Sequence, residues 1–386
     1  MMLKIKSKEE DFKVEEIAAL PLAKHGDFGV YILEKRGWNT TDALRVLAEQ
    51  LDIPLYKFSY GGRKDRHAQT RQYITIEAPQ VGGIDHERLA LTFAGFMDRP
   101  MGPDLIDANR FEITVRNLSE TKTESALAAV KQVRQFGLPN YFDDQRFGSF
   151  DAEQGFLAEK ILLGHFNGAV KIYLTSIYSE DKKEDKDRKR FFIEHWKDWA
   201  ACQAEAKTKF EADAFETLKG GEKAALAVLD QIEKEMLSLY FSAYQSFLWN
   251  EVARGIIREK IKDVSVSSGK AGDYIFYREL PTETANYFKD LKIPTAAHNT
   301  KMPDDLSNGI YANVLAPRGV QKPMFNKIKI RRAFFKATDR AIIIKPKDFT
   351  AEAMADDLQS GFQKLILKFT LPRGSYATML LKRLFL

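Results

Sequence analysis

The chain has 386 residues, 44% hydrophobic and 29% charged, with 59 Lys+Arg against 54 Asp+Glu for a net charge of +5. That length predicts two domains, or one carrying a large insertion, and the composition excludes a disordered or fibrous chain. No apolar run approaches the ~18–20 residues that span a bilayer, MMLKIKSKEEDF lacks a signal-like apolar stretch, and the lone Cys202 cannot form an intrachain disulfide; the expectation is a soluble, cytoplasmic protein.

In chain order, DFKVEEI and GVYILEK read as short strands. Asn39–Thr41 supplies helix-capping chemistry, and Leu44, Leu47, Ala48 and Leu51 at helical spacing predict an amphipathic helix over 41–51. YKFSY, GGRKDRHAQT and RQYITIEAP then read as strand, loop and strand, and FEITVRN at 111–117 alternates with period two. A second helix is expected over 122–136, ended by Gly137 and Pro139.

The middle of the chain changes character. SEDKKEDKDRKR at 179–190 reads as a solvated loop or exposed helix face, and residues 200–260 read as helical. Strand patterns return at 341–349 and 363–371. This β, α-rich, β order predicts an α+β fold with a mostly antiparallel sheet and flanking helices, interrupted by an insertion.

Six dispersed histidines and one cysteine offer no zinc spacing, and no Walker A, GxGxxG or GxSxG element occurs. An enzyme of this sequence is expected to work with side chains alone, without cofactor or metal. The small positive excess permits a nucleic-acid partner without requiring one.

Residues 61–72, GGRKDRHAQTRQ, set one carboxylate, Asp65, among Arg63, Lys64 and Arg66. Those cations favour its ionised form, and Gly61 and Gly62 permit a tight turn with close approach to a ligand. A plain surface turn whose Asp caps a backbone amide fits the same letters. Asn109 and Phe111 in ANRFEITVR (a base edge and a stacking ring, or turn and core), Arg146 in DQRFG (a phosphate or carboxylate contact, or a packed helix exit) and Tyr376 in LPRGSYAT pose the same choice between ligand contact and packing.

Together these stretches resemble the TruD family of RNA pseudouridine synthases. Gly62-Arg63-Lys64-Asp65-Arg66-His67-Ala68-Gln69-Thr70-Arg71-Gln72 is similar to its GxKDxxAxTxQ, and Glu10 to Glu16 to its EDFxVEE. Asn109-Arg110-Phe111 is similar to NxF, Gly137 to Gly148 to GxPNYFxxQRFG, and Leu371 to Thr378 to LPxGSxAT. Tyr244 to Asn250 is similar to the family's YxSxLFN-like helix. The motifs run through the whole chain in order, with Asp143-Asp144 where small residues are usual and Tyr376 where Phe is common.

The resemblance implies a pseudouridine-synthase catalytic domain from residues 1–150 and 336–386, and an inserted α/β domain of the family at 151–335. It implies Asp65 as the catalytic aspartate, enclosed by cations and paired with Lys6, and Phe12, Asn109, Phe111 and Tyr376 at the target nucleotide. Lys64, Arg66, Arg71 and Arg146 are the candidates for RNA phosphates. The implied reaction breaks the bond from C1′ to N1 of uracil and rejoins the base through C5, most directly at uridine-13 of tRNA. Asp65 would attack C1′, remove the 2′ proton or add to C6. The expected enzyme is a monomer needing no membrane or obligate protein partner. A synthase for a different RNA uridine, or an RNA-binding or RNA-folding protein on the same scaffold, would share these motifs.

Overall fold

The computed structural model describes residues 4–5 (backbone), 7–78, 80–86, 88–221, 223–330 and 332–386. The chain divides into two units, residues 1–138 with 344–386, and residues 139–343. These junctions fall at 138/139 and 343/344 instead of 150/151 and 335/336, which puts the NYFDDQRFG stretch in the second unit.

The first unit is built on a ten-stranded sheet. Its strands are β1 (Lys4–Ile5), β2 (Phe12–Ile17), β3 (Phe28–Arg36), β4 (Phe58–Tyr60), β5 (Gln69–Ile76), β6 (Ile84–His86), β7 (Leu89–Met97), β8 (Ala108–Leu118), β9 (Lys347–Ala355) and β10 (Gln363–Pro372). They lie in the order β9-β10-β8-β2-β5-β3-β7-β6, with β1 on β8 and β4 on β5. Only β2 with β5 is parallel, so the sheet is mixed and mostly antiparallel, as the sequence predicts. The strand expected at 341–349 runs continuously only from Lys347, because Pro346 offers no N–H to a ladder.

Helix α1 (Thr40–Leu51) starts where the Asn39 side chain accepts from the Asp42 amide. It buries Ala43, Leu44 and Leu47 against Tyr31, Leu33, Ile74 and Leu91 on β3, β5 and β7. Helix α2 (Glu120–Phe136) lies by the other edge of the sheet, where Arg134 Nε donates to the Phe349 carbonyl at 2.7 Å. It ends at Gly137, whose φ of +74° a side chain rarely adopts and whose N–H returns to Val133 O. Helix α3 (Ala377–Leu384) packs on α2 through Arg383 and Gln132. The two helix layers leave β2 between them, in the middle of one sheet face.

Both chain ends are stitched to β8 by one guanidinium. Arg116, with its side chain 7% exposed, reaches Asp11 at 2.9 Å, Asp356 at 2.9 Å and Asp357 at 2.8 Å. These bonds, that to Asp11 first, push the Arg116 pKa upward. Asp11 precedes Phe12 directly, so this network fixes where β2 begins.

The second unit is dominated by helices, with short antiparallel pairs Val264–Ser267 with Tyr274–Tyr277 and Lys292–Pro294 with Asp339–Ala341. The charged run becomes the exposed face of a helix at Lys183–Glu194. A buried helix, Lys234–Lys260, organises the unit. Its Asn250 accepts from the Phe142 amide and donates to the Phe142 carbonyl at 2.9 and 2.8 Å. Trp249 Nε1 donates to Ile293 O, and the Arg340 guanidinium covers the Phe142 ring at 4.0 Å. The GxPNYF and YxSxLFN-like stretches therefore form a packed hub, with Tyr141 and Phe147 buried in it.

Candidate active site

Cross-strand partners share a sheet face, so register places the candidate residues. Val14 on β2 lies opposite Phe111 on β8 and Thr70 on β5, while Glu16 lies opposite Asn109. Phe12, Val14, Glu16, Asn109 and Phe111 thus face the same way, the face that α1 covers through Leu33. Asn109 also pairs with Leu371 on β10, five residues before half-buried Tyr376.

The loop between β4 and β5 carries Asp65 onto this face and is tied down along its backbone. Gln72 Nε2 donates to the Gly62 carbonyl at 3.3 Å, and the Lys64 amide donates to Thr40 Oγ1 at 2.9 Å. Lys35, 1% exposed, donates through Nζ to the carbonyls of Trp38, Asp65 and Lys64 at 2.6, 3.0 and 3.4 Å. Burial depresses the Lys35 pKa to about 8, against the upward pull of Asp65. A Cβ on Gly61 would stand 2.9 Å from the Gly102 carbonyl, so that glycine serves close packing against the protein and not against a ligand.

Several expectations are corrected here. Asp65 is exposed, not enclosed, and its Oδ1 accepts from the His67 amide at 3.0 Å, the amide-capping turn that the letters alone also allow. Lys64 points inward: its ammonium pairs with Glu16, whose side chain is fully buried and whose other oxygen accepts from the Tyr73 amide. Arg71 faces the reverse side of the sheet, paired with Glu15 at 2.7 Å and Glu34 at 3.7 Å. Arg146 belongs to the second unit, where its Nε donates to Ser246 Oγ at 3.2 Å. Arg66 is exposed in the Asp65 loop and donates to the Gly37 carbonyl. Lys6 lies outside the described residues.

The aromatic candidates sit deeper than stacking platforms would. Phe12 and Phe111 are 7% and 8% exposed and meet edge-on, and Phe369 stacks against Phe111 at 5.2 Å. One face of Phe111 is thereby occupied. Asn109 Oδ1 is buried without a hydrogen-bond partner. An unmet buried acceptor costs about 1–3 kcal/mol.

The reverse face holds a cleft of about 470 Å³ lined by Lys13, Glu15, Arg71, Arg110 and Glu112. Its charges pair among themselves, Lys13 with Glu112 and Arg110 with Glu15, and it lies away from Asp65. Sequence inspection gives no role to Lys35, or to Glu16 although it closes the EDFxVEE-like stretch; each is a charged residue at an inward position of an alternating strand.

A mixed sheet with helices over one face, and a glycine-led Asp loop held at its parallel junction, make an α+β fold of the kind found in TruD pseudouridine synthases. Residues 1–384 match the sequence profile described as tRNA pseudouridine synthase D (TruD), and the chain belongs to that family. It is 33% identical to the "Probable tRNA pseudouridine synthase D 1" of Methanococcus maripaludis, covering 99% of each chain. It is 31% identical to tRNA pseudouridine synthase D of Leptospira interrogans over 99% of this chain and 96% of that one. A crystal structure from Methanosarcina mazei assigned to TruD superposes with a TM-score of 0.75 at 25% identity, over 99% of this chain and 93% of that one. The protein is a pseudouridine synthase, an isomerase. Among the described residues no helix is long and apolar enough to cross a membrane.

Proposed function

We propose that the chain converts uridine-13 of tRNA to pseudouridine, with Asp65 as the catalytic carboxylate acting at the sugar–uracil linkage. The observation that carries this reading is the convergence of the Asp65 loop, Phe12, Asn109 and Phe111 on one sheet face, around an unsatisfied amide oxygen. Uracil presents N3–H where cytosine presents a lone pair, so Asn109 Oδ1, once its side chain turns from its buried position toward the base, favours the uracil edge. An exposed Asp65 on a braced loop is open to a nucleotide that has left its helix, and extrusion costs a few kcal/mol. Tyr376, half-buried beyond β10, supplies an aromatic ring for the target base.

In this reading the first unit is the catalytic domain and the second is the family's inserted domain. Arg66 is the loop cation that meets phosphate. The enzyme acts as a cytoplasmic monomer without cofactor, and the buried Cys202, its thiol pushed up to about 11 by burial, suits a reducing compartment.

The test is tritium release from tRNA labelled at C5 of uridine, with target mapping, for the native protein and Asp65→Asn. Release at position 13 that vanishes in the variant while tRNA binding persists supports the proposal. Equal release from both removes Asp65 from the chemistry, and release from another position overturns the target.

A further inference from the structure

Between Asp305 and Asp339 the chain carries seven Lys and Arg residues and no Asp or Glu. With 54 acids in 386 residues, about four or five would be expected over such a stretch. The end of this stretch is irregular in backbone, but its burial alternates from residue 332 to 336. Arg332, Phe334 and Lys336 are exposed, while Ala333 and Phe335 are buried.

The alternation is imposed by packing. Phe335 is locked between Phe241 and Phe325, with ring centroids at 4.7 and 5.0 Å. The Lys336 carbonyl accepts from Gln245 Nε2 at 3.0 Å and from Thr295 Oγ1 at 3.2 Å. With Ala333 and Phe335 buried on either side of it, Phe334 turns outward and stands 70% exposed. Arg332 and Lys336, both exposed, flank the exposed ring two residues to either side in the chain. Among the described residues neither cation is ion-paired.

Phe334 and the two cations without ion pairs on either side of it together present an apolar ring face and two positive charges to solvent. We propose that Phe334, Arg332 and Lys336 form a contact site for the RNA substrate, with an unpaired base stacking on Phe334 and its flanking phosphates meeting the cations. This inference rests on the reading of the protein as a tRNA-modifying enzyme and adds to it a surface in the second unit.

The experiment measures binding of an unmodified tRNA transcript and its pseudouridylation by the full chain and by Phe334→Ala, Phe334→Trp and Phe334→Leu. Stacking on one base predicts about ten-fold weaker binding for Phe334→Ala, recovery in Phe334→Trp and none in Phe334→Leu. Lys336→Gln should lower the slope of log affinity against log salt by about 0.7–0.9. Wild-type affinity in Phe334→Ala overturns the site. Full affinity in Phe334→Leu overturns stacking and leaves a general apolar contact, as for a protein partner. A native chain that neither binds nor modifies tRNA overturns the substrate reading, and this partner with it.

Discussion

The Lys35 ammonium lies 3.0 Å from the backbone carbonyl of Asp65, inside the protein, while the Asp65 carboxylate stands outside. One cation thus holds the loop through its backbone while the carboxylate proposed to act in the reaction faces outward. The clamp depends on protonation, because a neutral amine has two N–H groups for three carbonyls and no charge. With the Lys35 pKa lowered to about 8, turnover is expected to fall as pH rises through 8. Fold stability should move oppositely. The folded value is below the ordinary 10.5, so between about 8 and 10.5 the unfolded chain holds the extra proton and stability rises with pH. Lys35→Arg, which keeps its charge, should shift the alkaline limb upward. A limb that stays at 8 in that variant sinks the clamp.

Lys64 and Glu16 make the second brace. Removing one partner of a buried pair leaves the other charge uncompensated, at about 3–5 kcal/mol. Lys64→Gln is therefore expected to lower the melting temperature markedly and leave the salt dependence of RNA binding unchanged. A phosphate contact would behave the other way, with a shallower salt slope and an unaltered melt.

How much of this is legible in the sequence depends on range. Capping at Asn39, the stop at Gly137 and the spacing of Leu44 and Leu47 are local, and both helices form within two residues of where their letters place them. Arg71 shows where locality ends. It stands one residue from Thr70, whose side chain faces the site, yet the pleat turns it to the reverse face to meet Glu15. Its basic neighbourhood in the sequence does not reveal that reversal, because the β2–β5 register is set across some 55 residues of intervening chain. Likewise, the cations beside Asp65 suggest an enclosed carboxylate, but Lys64 is drawn away by a partner on another strand.

Arg116 should govern acid stability. For Asp356, burial raises the pKa, but the Leu358 and Asn117 amides and Arg116 outweigh it and hold the carboxyl below its ordinary 3.8. The Asp357 carboxyl is lowered by Lys364 and then Arg116. Depressed folded values mean that this stabilisation is complete above about 3.8 and is lost as pH falls through them. Arg116→Met, leaving Asp11 and Asp356 buried and uncompensated by it, should cost about 3–5 kcal/mol at pH 7. The gap to the native protein should close below pH 4. Melts recorded from pH 7 to 2.5 check this, and a constant gap would refute it.

Asn109 should separate activity from stability. Its buried Oδ1 lacks a partner, so Asn109→Ala removes an unmet acceptor and is expected to leave the melting temperature unchanged or raise it. The same change deletes the group proposed to accept uracil N3–H, and on that proposal it should lower kcat/KM by about 10- to 100-fold for a lost interaction of about 1.4–2.7 kcal/mol. A tRNA carrying N3-methyluridine at the target should be turned over poorly by the native protein, and Asn109→Ala should discriminate less between it and uridine. A variant that loses stability and activity together would show instead that Asn109 only holds β8 in place.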